Sequence, residues 1–397
     1  MNTPRVPNEL AARLHDGAFY AGDPFPTYAT LRAEAPVAWC EPGGFWALTS
    51  HASVLAASTD PDTFCSRRGI LAMEIGIEYE TPPTMMHTDP PEHTAYRKLV
   101  APGFRPSVIK RAGEQVVART DEVLDRLPNG TFDAVDELAV PLPLLLIADV
   151  LGVPEEDLDR FFAWSEAAIP GETDLDPEEQ QRLMGECMAY LLDQCARRRE
   201  EPGDDMVSVL VHTELEGRRL TDAELGMFLN QLLIAGNETT RNAISGGLAA
   251  FADAPDQWQR LVDDPDLVDS AVEEILRWTT PVISFLRTTT RDVELHGQAI
   301  PAGDPVLLVY QSANRDEREF GPDANRFDVG RSPNHHLAFG FGAHFCIGAA
   351  LARTEIATLL RALLDRGWTP ERRGVPVRTS SPVIAGLKSL PLALRAS

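Results

Sequence analysis

Cysteine is scarce and unpatterned in this chain: Cys40, Cys65, Cys187, Cys195 and Cys346 are scattered, odd in number and without framework spacing. That excludes a disulfide scaffold and points to an intracellular protein with reduced thiols. There is no G-x-G-x-x-G unit and no cysteine set that could hold an iron–sulfur cluster. Positive charge is also short, with 36 Lys and Arg against 60 Asp and Glu and a net charge of −24. That balance argues against nucleic acid or an anionic membrane surface as partner. Long apolar runs are missing too. The most apolar stretch, Ala139 to Val153, is interrupted by Pro141, Pro143 and Asp149. It falls short of the ~20 residues a membrane-spanning helix needs. The N-terminal residues show no apolar signal-peptide core. A soluble, cytoplasmic protein without a membrane anchor is expected.

What is present reads as mainly helical with small β-sheets. Long amphipathic segments cover 108–127, 155–168, 178–200, 222–253, 266–278 and 347–366. β-Rich patches cover 37–50, where a Pro-Gly-Gly turn predicts a hairpin, 283–308, and 375 to the end. No repeat, low-complexity tract or linker divides the chain, so a single domain over residues 1–397 is expected.

The most informative run is Phe339-Gly340-Phe341-Gly342-Ala343-His344-Phe345-Cys346-Ile347-Gly348, which leads into a helix. Glycines there allow positive φ and a close backbone approach to a bulky planar partner. A cysteine near a helix N-terminus has its thiolate favoured. Cys346 has three other readings: a buried structural thiol, a zinc ligand and a nucleophile. Zinc lacks a second cysteine at C-x2-4-C spacing, and His344, two residues away, is poorly placed as a base. A thiolate as the single protein ligand to haem iron is the fourth reading. The run matches the signature FGxGxHxCxG at every fixed position, and the chain resembles the cytochrome P-450 family.

Residues 232–240, Leu-Leu-Ile-Ala-Gly-Asn-Glu-Thr-Thr, put glycine, an acid and two hydroxyl residues inside the segment 222–253. Gly and Thr weaken a helix interior, and a hydroxyl can bond back to the i−4 carbonyl. A locally opened helix with a groove is therefore expected. Alone, this is a tolerated Gly in a packing helix. Beside the cysteine loop it resembles the family's (A/G)Gx(D/E)T motif, which implies Thr239 as the alcohol that engages dioxygen and Glu238 as the acid that delivers protons.

Glu274 and Arg277 stand i,i+3 on one helix face. Isolated, they would be a surface ion pair of little value. They match the family's ExxR motif, whose buried pair is joined by a downstream arginine to brace the cysteine loop. Arg326 is expected in that place, with Arg331 as the substitute.

The resemblance implies haem b as cofactor. It lies between the long oxygen-binding helix and the helix after the Cys346 loop. Propionate contacts are implied from His93 and Arg97, i,i+4 on one helix, and from Arg287 and His344. Arginine is the preferred bidentate partner of a carboxylate. Ala235, Phe339 and Gly340 are implied as further haem contacts. His336 fits the pattern without an assigned role, while His15, His51, His87, His212 and His296 belong to no constellation and read as surface residues.

The resemblance spans nearly the whole chain and implies a monooxygenase that inserts one oxygen atom of O2 into a hydrophobic small molecule. Gln231, Ile234, Ile283, Phe285, Val383 and Ile384 are implied as pocket residues, mostly apolar and uncharged. Their near-even alternative is ordinary core packing. The wording around residues 237–243 and 279–287 is similar to the branch that oxidises steroids, branched lipids and terpenoids. A polyketide or other natural-product substrate is the nearest alternative. A peroxide-driven enzyme and a haem sensor are more remote. Segments 66–88 and 155–185 would decide the substrate. Without a nicotinamide, flavin or cluster unit, the protein needs a separate ferredoxin and ferredoxin reductase, and a monomer is expected. Arg97, Lys98, Arg105, Lys110, Arg111 and Arg353 are expected to contribute a basic docking patch.

Overall fold

Helices dominate the computed structural model, which describes residues 5–80, 84–104, 106–167, 175–215 and 217–396. Two compact units are each assembled from separate stretches of chain. The first comprises residues up to His93, Gly246–Cys346 and Val375–Lys388; the second comprises Thr94–Ser245, Ile347–Gly374 and the residues from Ser389 on.

The first unit is built on a five-stranded sheet in the order Val37–Cys40, Phe45–Leu48, Pro305–Val309, Ser284–Thr289, Phe64–Cys65. Its neighbours are antiparallel except the second and third, which run parallel. The expected hairpin forms, with Val37 opposite Leu48 and Cys40 opposite Phe45. Strand alternation sorts side chains to two faces. Phe45, Ala47, Leu286, Leu307 and Val309 pack with Tyr28 and Leu31 of the Phe25–Glu34 helix. Leu48, Val306 and Leu308 pack with Val54 and Ala57 of the His51–Thr59 helix. The Val268–Thr279 helix buries Val268, Ala271, Val272, Ile275 and Leu276 at helical spacing. It ends where Thr280 takes a left-handed φ of 40°.

Two histidines read as surface residues are in fact core. His51 is buried and bonds the His335 carbonyl through Nε2 at 2.8 Å. His87 is buried, with Nε2 3.1 Å from Glu74 Oε1 and Nδ1 2.9 Å from Thr84 Oγ1. Burial alone would raise the Glu74 pKa. His87 and the backbone N–H groups of Ile70 and Leu71 outweigh it and bring the carboxyl down to about 2. Their partners lie far apart in sequence or in turns, so no spacing marked them. His15, His212 and His296 are exposed as expected.

The second unit is helical with a three-stranded sheet, Phe132–Asp133, Pro391–Ala396 and Trp368–Arg372 in that order. The apolar stretch broken by prolines folds as a helix, Pro141–Leu151, because its prolines stand in the first turn, where no backbone N–H has a helical partner. Gly152, at φ 70°, ends it. The Pro106–Arg126 helix packs on Ala349–Asp365 and on Pro141–Leu151, and Leu158–Ala167 packs on Pro177–Glu200. The helix predicted over 222–253 is Asp222–Asp253. It crosses residues 232–240 without interruption, so the expected local opening is absent. Gly236 instead permits close packing, since a Cβ there would stand 2.8 Å from Ile147 Cδ1. Among the described residues no helix is long and apolar enough to cross a membrane. Arg105, the side chains of Lys110 and Arg111, and parts of the segments 66–88 and 155–185 lie outside the described residues.

Candidate active site

In the first unit, the cysteine loop is shaped by two left-handed glycines, Gly340 at φ 66° and Gly342 at φ 72°. The Cys346 N–H closes it by donating to the Phe339 carbonyl at 2.9 Å. A Cβ on Gly342 would stand 2.3 Å from the Ser58 carbonyl oxygen, so the loop seats against the His51–Thr59 helix only with glycine there. Cys346 is exposed while the other four cysteines are buried. The structural-thiol reading therefore does not suit it.

The brace behind this loop is fully buried. Arg277 makes a bidentate pair with Glu274, Nε to Oε2 and Nη2 to Oε1, both at 2.7 Å. Its Nη1 donates to the carbonyls of Asn314 and Ala324 at 2.8 Å. The third partner is Arg331, not Arg326. Arg331 is buried with Nε 3.2 Å from Glu274 Oε2, whereas the Arg326 side chain is exposed. Arg326 contributes its carbonyl, which accepts from Arg277 Nη2 at 3.1 Å and Arg331 Nη2 at 3.0 Å. Asn334 and the Asp328 N–H also bond Glu274, and Asn314 Oδ1 accepts from the Leu337 N–H at 2.7 Å. Residues 314–337 are thereby held to the Val268–Thr279 helix. His336 joins this support, with Nε2 3.0 Å from Glu273 Oε2.

His93 and His344 come together, with ring centroids 4.1 Å apart, and His344 Nε2 lies 3.2 Å from Ser66 Oγ. Ser66 follows Cys65, whose strand partner is Thr288, one residue beyond Arg287. Arg287 is buried, and its guanidinium bonds the Leu286 carbonyl at 2.7 Å. It has no carboxylate partner among the described residues. A buried, always-charged guanidinium normally has one. A haem propionate would complete it, so this donor set and the exposed Cys346 fit haem. Ser66 was missed, and nothing in the sequence marks it.

Two pocket residues of this unit, Val383 and Ile384, are half-buried. The Val383 carbonyl accepts from the Ile283 N–H at 2.8 Å, and Ile384 bridges Val282. Phe285 is half-buried beside Tyr310. Ile283 is different: at 1% exposure it belongs to the core packed around Leu286 and Leu307. Its half-buried neighbour is Val282.

In the second unit, Gln231, Ala235 and Thr239 share one stripe of the Asp222–Asp253 helix at i, i+4 and i+8. Ala235 is exposed, and Gln231, Ile234 and Thr239 are half-buried, whereas Leu229, Leu233, Asn237 and Glu238 are buried. Thr239 Oγ1 donates to the Ala235 carbonyl at 2.7 Å. Glu238 is held through Oε1 alone, by Arg241 Nη2 at 2.7 Å and Asn242 Nδ2 at 2.9 Å. Its Oε2 is buried with no partner among the described residues. The i+3 and i+4 spacing of Arg241 and Asn242 could have revealed both. Arg97 lies one turn after His93 on the Glu92–Val100 helix and is half-buried.

A profile of the cytochrome P-450 family matches residues 178–376. A steroid C26-monooxygenase of Mycobacterium tuberculosis is 38% identical over 389 residues, covering 96% of each chain. A methyl-branched lipid omega-hydroxylase of Mycobacterium bovis is 40% identical over 407 residues, covering 96% of this chain and 91% of that one. Among solved structures, CYP109E1 of Bacillus megaterium in complex with testosterone superposes with a TM-score of 0.85 at 34% identity, covering 94% of this chain and 99% of that one. The chain belongs to the cytochrome P-450 family. It is a haem b monooxygenase.

Proposed function

We propose that this monooxygenase hydroxylates a hydrophobic molecule of steroid or branched-lipid type in the cytoplasm, with electrons from a separate ferredoxin and its reductase. Bound haem supplies activation of dioxygen and transfer of one oxygen atom. Cys346 would ligate the haem iron, His93, Arg97, Arg287 and His344 would hold the propionates, and Ala235, Phe339 and Gly340 would line the ring. Thr239 would offer its hydroxyl where dioxygen is activated, and Glu238 would pass protons through Oε2, the oxygen left without a partner among the described residues. Gln231, Ile234, Phe285, Val383 and Ile384 orient the substrate and exclude water. Arg331 and Arg277 act through Glu274 and keep the cysteine loop in place.

The observation that carries the reading is the half-open, mostly apolar stripe of the Asp222–Asp253 helix ending at an acid and an alcohol. Kinship with enzymes named for steroids and branched lipids supports the substrate class. The test is a ligand screen on the holoenzyme, following displacement of haem-bound water spectroscopically. Steroids and methyl-branched lipids should shift the spectrum at micromolar concentration. If only polar natural products did so, the substrate assignment would be wrong. Cys346→Ser should abolish the thiolate-type spectrum of the reduced carbon monoxide complex.

A further inference from the structure

In the first unit, the hairpin of Val37–Cys40 and Phe45–Leu48 sets Trp39 directly opposite Trp46. Their rings lie 5.4 Å apart and tilted by 59°, so they form a corner and not a stack. Both indoles are half-buried. With Glu34, Ala35, His296 and Gln298 they line a cavity of about 90 Å³ at the edge strand of the five-stranded sheet. Each indole N–H is already given to a carboxylate, Trp39 Nε1 to Glu41 Oε2 at 2.6 Å and Trp46 Nε1 to Asp304 Oδ2 at 2.9 Å. These bonds fix the rings, add electron density to them, and leave them no free donor. Glu34 ends the Phe25–Glu34 helix, where the helix dipole is negative. No lysine or arginine lines the cavity, and among the described residues none pairs with Glu34, Glu41 or Asp304.

Indole faces beside unpaired carboxylates attract organic cations. The volume is well under the roughly 300–1,000 Å³ of pockets that take drug-sized molecules, so it suits a head group and not a whole ligand. A metal ion is poorly served, because indole faces offer it no oxygen ligands and no metal-holding cluster of acid, cysteine and histidine forms among the described residues. We propose that this cavity binds an alkylammonium group such as the trimethylammonium head of choline, with Trp39 and Trp46 against the methyl groups and Glu34 as counter-charge. The same head occurs on a free small cation and on a choline lipid, and the experiment separates the two. None of these residues has a part in the oxygen chemistry above, so the site stands independently of that reading.

The test titrates choline into the haem-loaded protein by calorimetry, beside dimethylbutanol, its uncharged carbon isostere. Choline should bind roughly tenfold more tightly than the isostere. Glu34→Gln should weaken choline roughly three- to fivefold and leave the isostere within about twofold. Trp39→Leu should remove most of the preference for choline. Glu34 is exposed, so its variant stays folded and decides the matter even if Trp39→Leu does not fold. Equal binding of choline and the isostere would overturn the proposal. So would no binding of choline up to about 10 mM, or choline binding undiminished in Glu34→Gln. Sedimentation with phosphatidylcholine vesicles, reversed by choline, would uphold the site and identify a lipid head as its ligand. Choline binding without sedimentation would uphold it for a free cation.

Discussion

Arg241 Nη2 stands 2.7 Å from Glu238 Oε1, one turn along the same helix, and this contact fixes which carboxylate oxygen remains available. Asn242 reaches the same oxygen, so Oε2 alone is left to carry a proton. Glu238→Gln keeps the shape and removes the acid. It should lower product formation by about a hundredfold, in the range of lost general-acid catalysis, and raise NADH consumed per product. Arg241→Ala leaves a buried carboxylate with weaker support and should destabilise the fold by about 3 kcal/mol. Arg241→Lys should recover part of both losses. Denaturant melts and product-to-NADH ratios separate the two effects.

Arg331 and Arg326 make a paired test of the brace. Removing the Arg331 guanidinium strips Glu274 of one buried cation, leaves the Phe320 carbonyl without its donor, and takes one of two donors from each of the Asp323 and Arg326 carbonyls. Arg331→Ala should cost about 3–5 kcal/mol. Arg326→Ala removes only an exposed side chain, because the bonds at that position come from its carbonyl, and should change stability by less than about 0.5 kcal/mol. Equal losses in urea unfolding would contradict the assignment of Arg331 as the third partner.

This pair also shows what the sequence could and could not convey. Glu274 and Arg277 were legible because their contact is local, three residues apart on one helix. The third arginine was not, because Arg326 and Arg331 differ only in how the irregular segment 320–334 folds back, and no periodicity governs such a segment. The same division holds elsewhere. The helix Asp222–Asp253 and the hairpin over 37–50 were readable from patterning. The Pro141–Leu151 helix was obscured by prolines that its first turn tolerates. Ile283 reads as a pocket residue from its place before Arg287, yet it stands just ahead of the strand Ser284–Thr289, outside its alternation, and packs in the core with Leu286 and Leu307.

Gly342 should be far less replaceable than Gly340, although both have left-handed φ. Alanine at either position carries the roughly 1–2 kcal/mol penalty of that conformation. At Gly340 the nearest atom to a new Cβ is the His344 carbonyl at 3.8 Å, an ordinary contact. At Gly342 it is backbone oxygen at 2.3 Å, which cannot move without shifting the His51–Thr59 helix. Gly342→Ala should therefore lower thermal stability and haem retention markedly, and Gly340→Ala only modestly. Differential scanning calorimetry and haem loss to apomyoglobin give the two readings.

Glu355, on the Ala349–Asp365 helix, is buried, and its Oε1 has no hydrogen-bond partner among the described residues. Burial pushes its pKa from 4.5 up to about 8. In the unfolded chain the carboxyl ionises near 4.5, whereas in the folded chain it stays protonated until about 8. The unfolded state therefore gains stabilisation from ionisation first, and folding stability falls as pH rises from about 4.5 to about 8. Below that window Glu355 adds no pH dependence; above it the penalty is constant. Glu355→Gln removes the ionisation and should flatten this part of the curve. The variant should be more stable than the parent at pH 8 and near the parent at pH 4.5. Urea unfolding of both proteins across that range reads the difference directly. Parallel curves would mean that the carboxyl is already charged and paired in the folded protein.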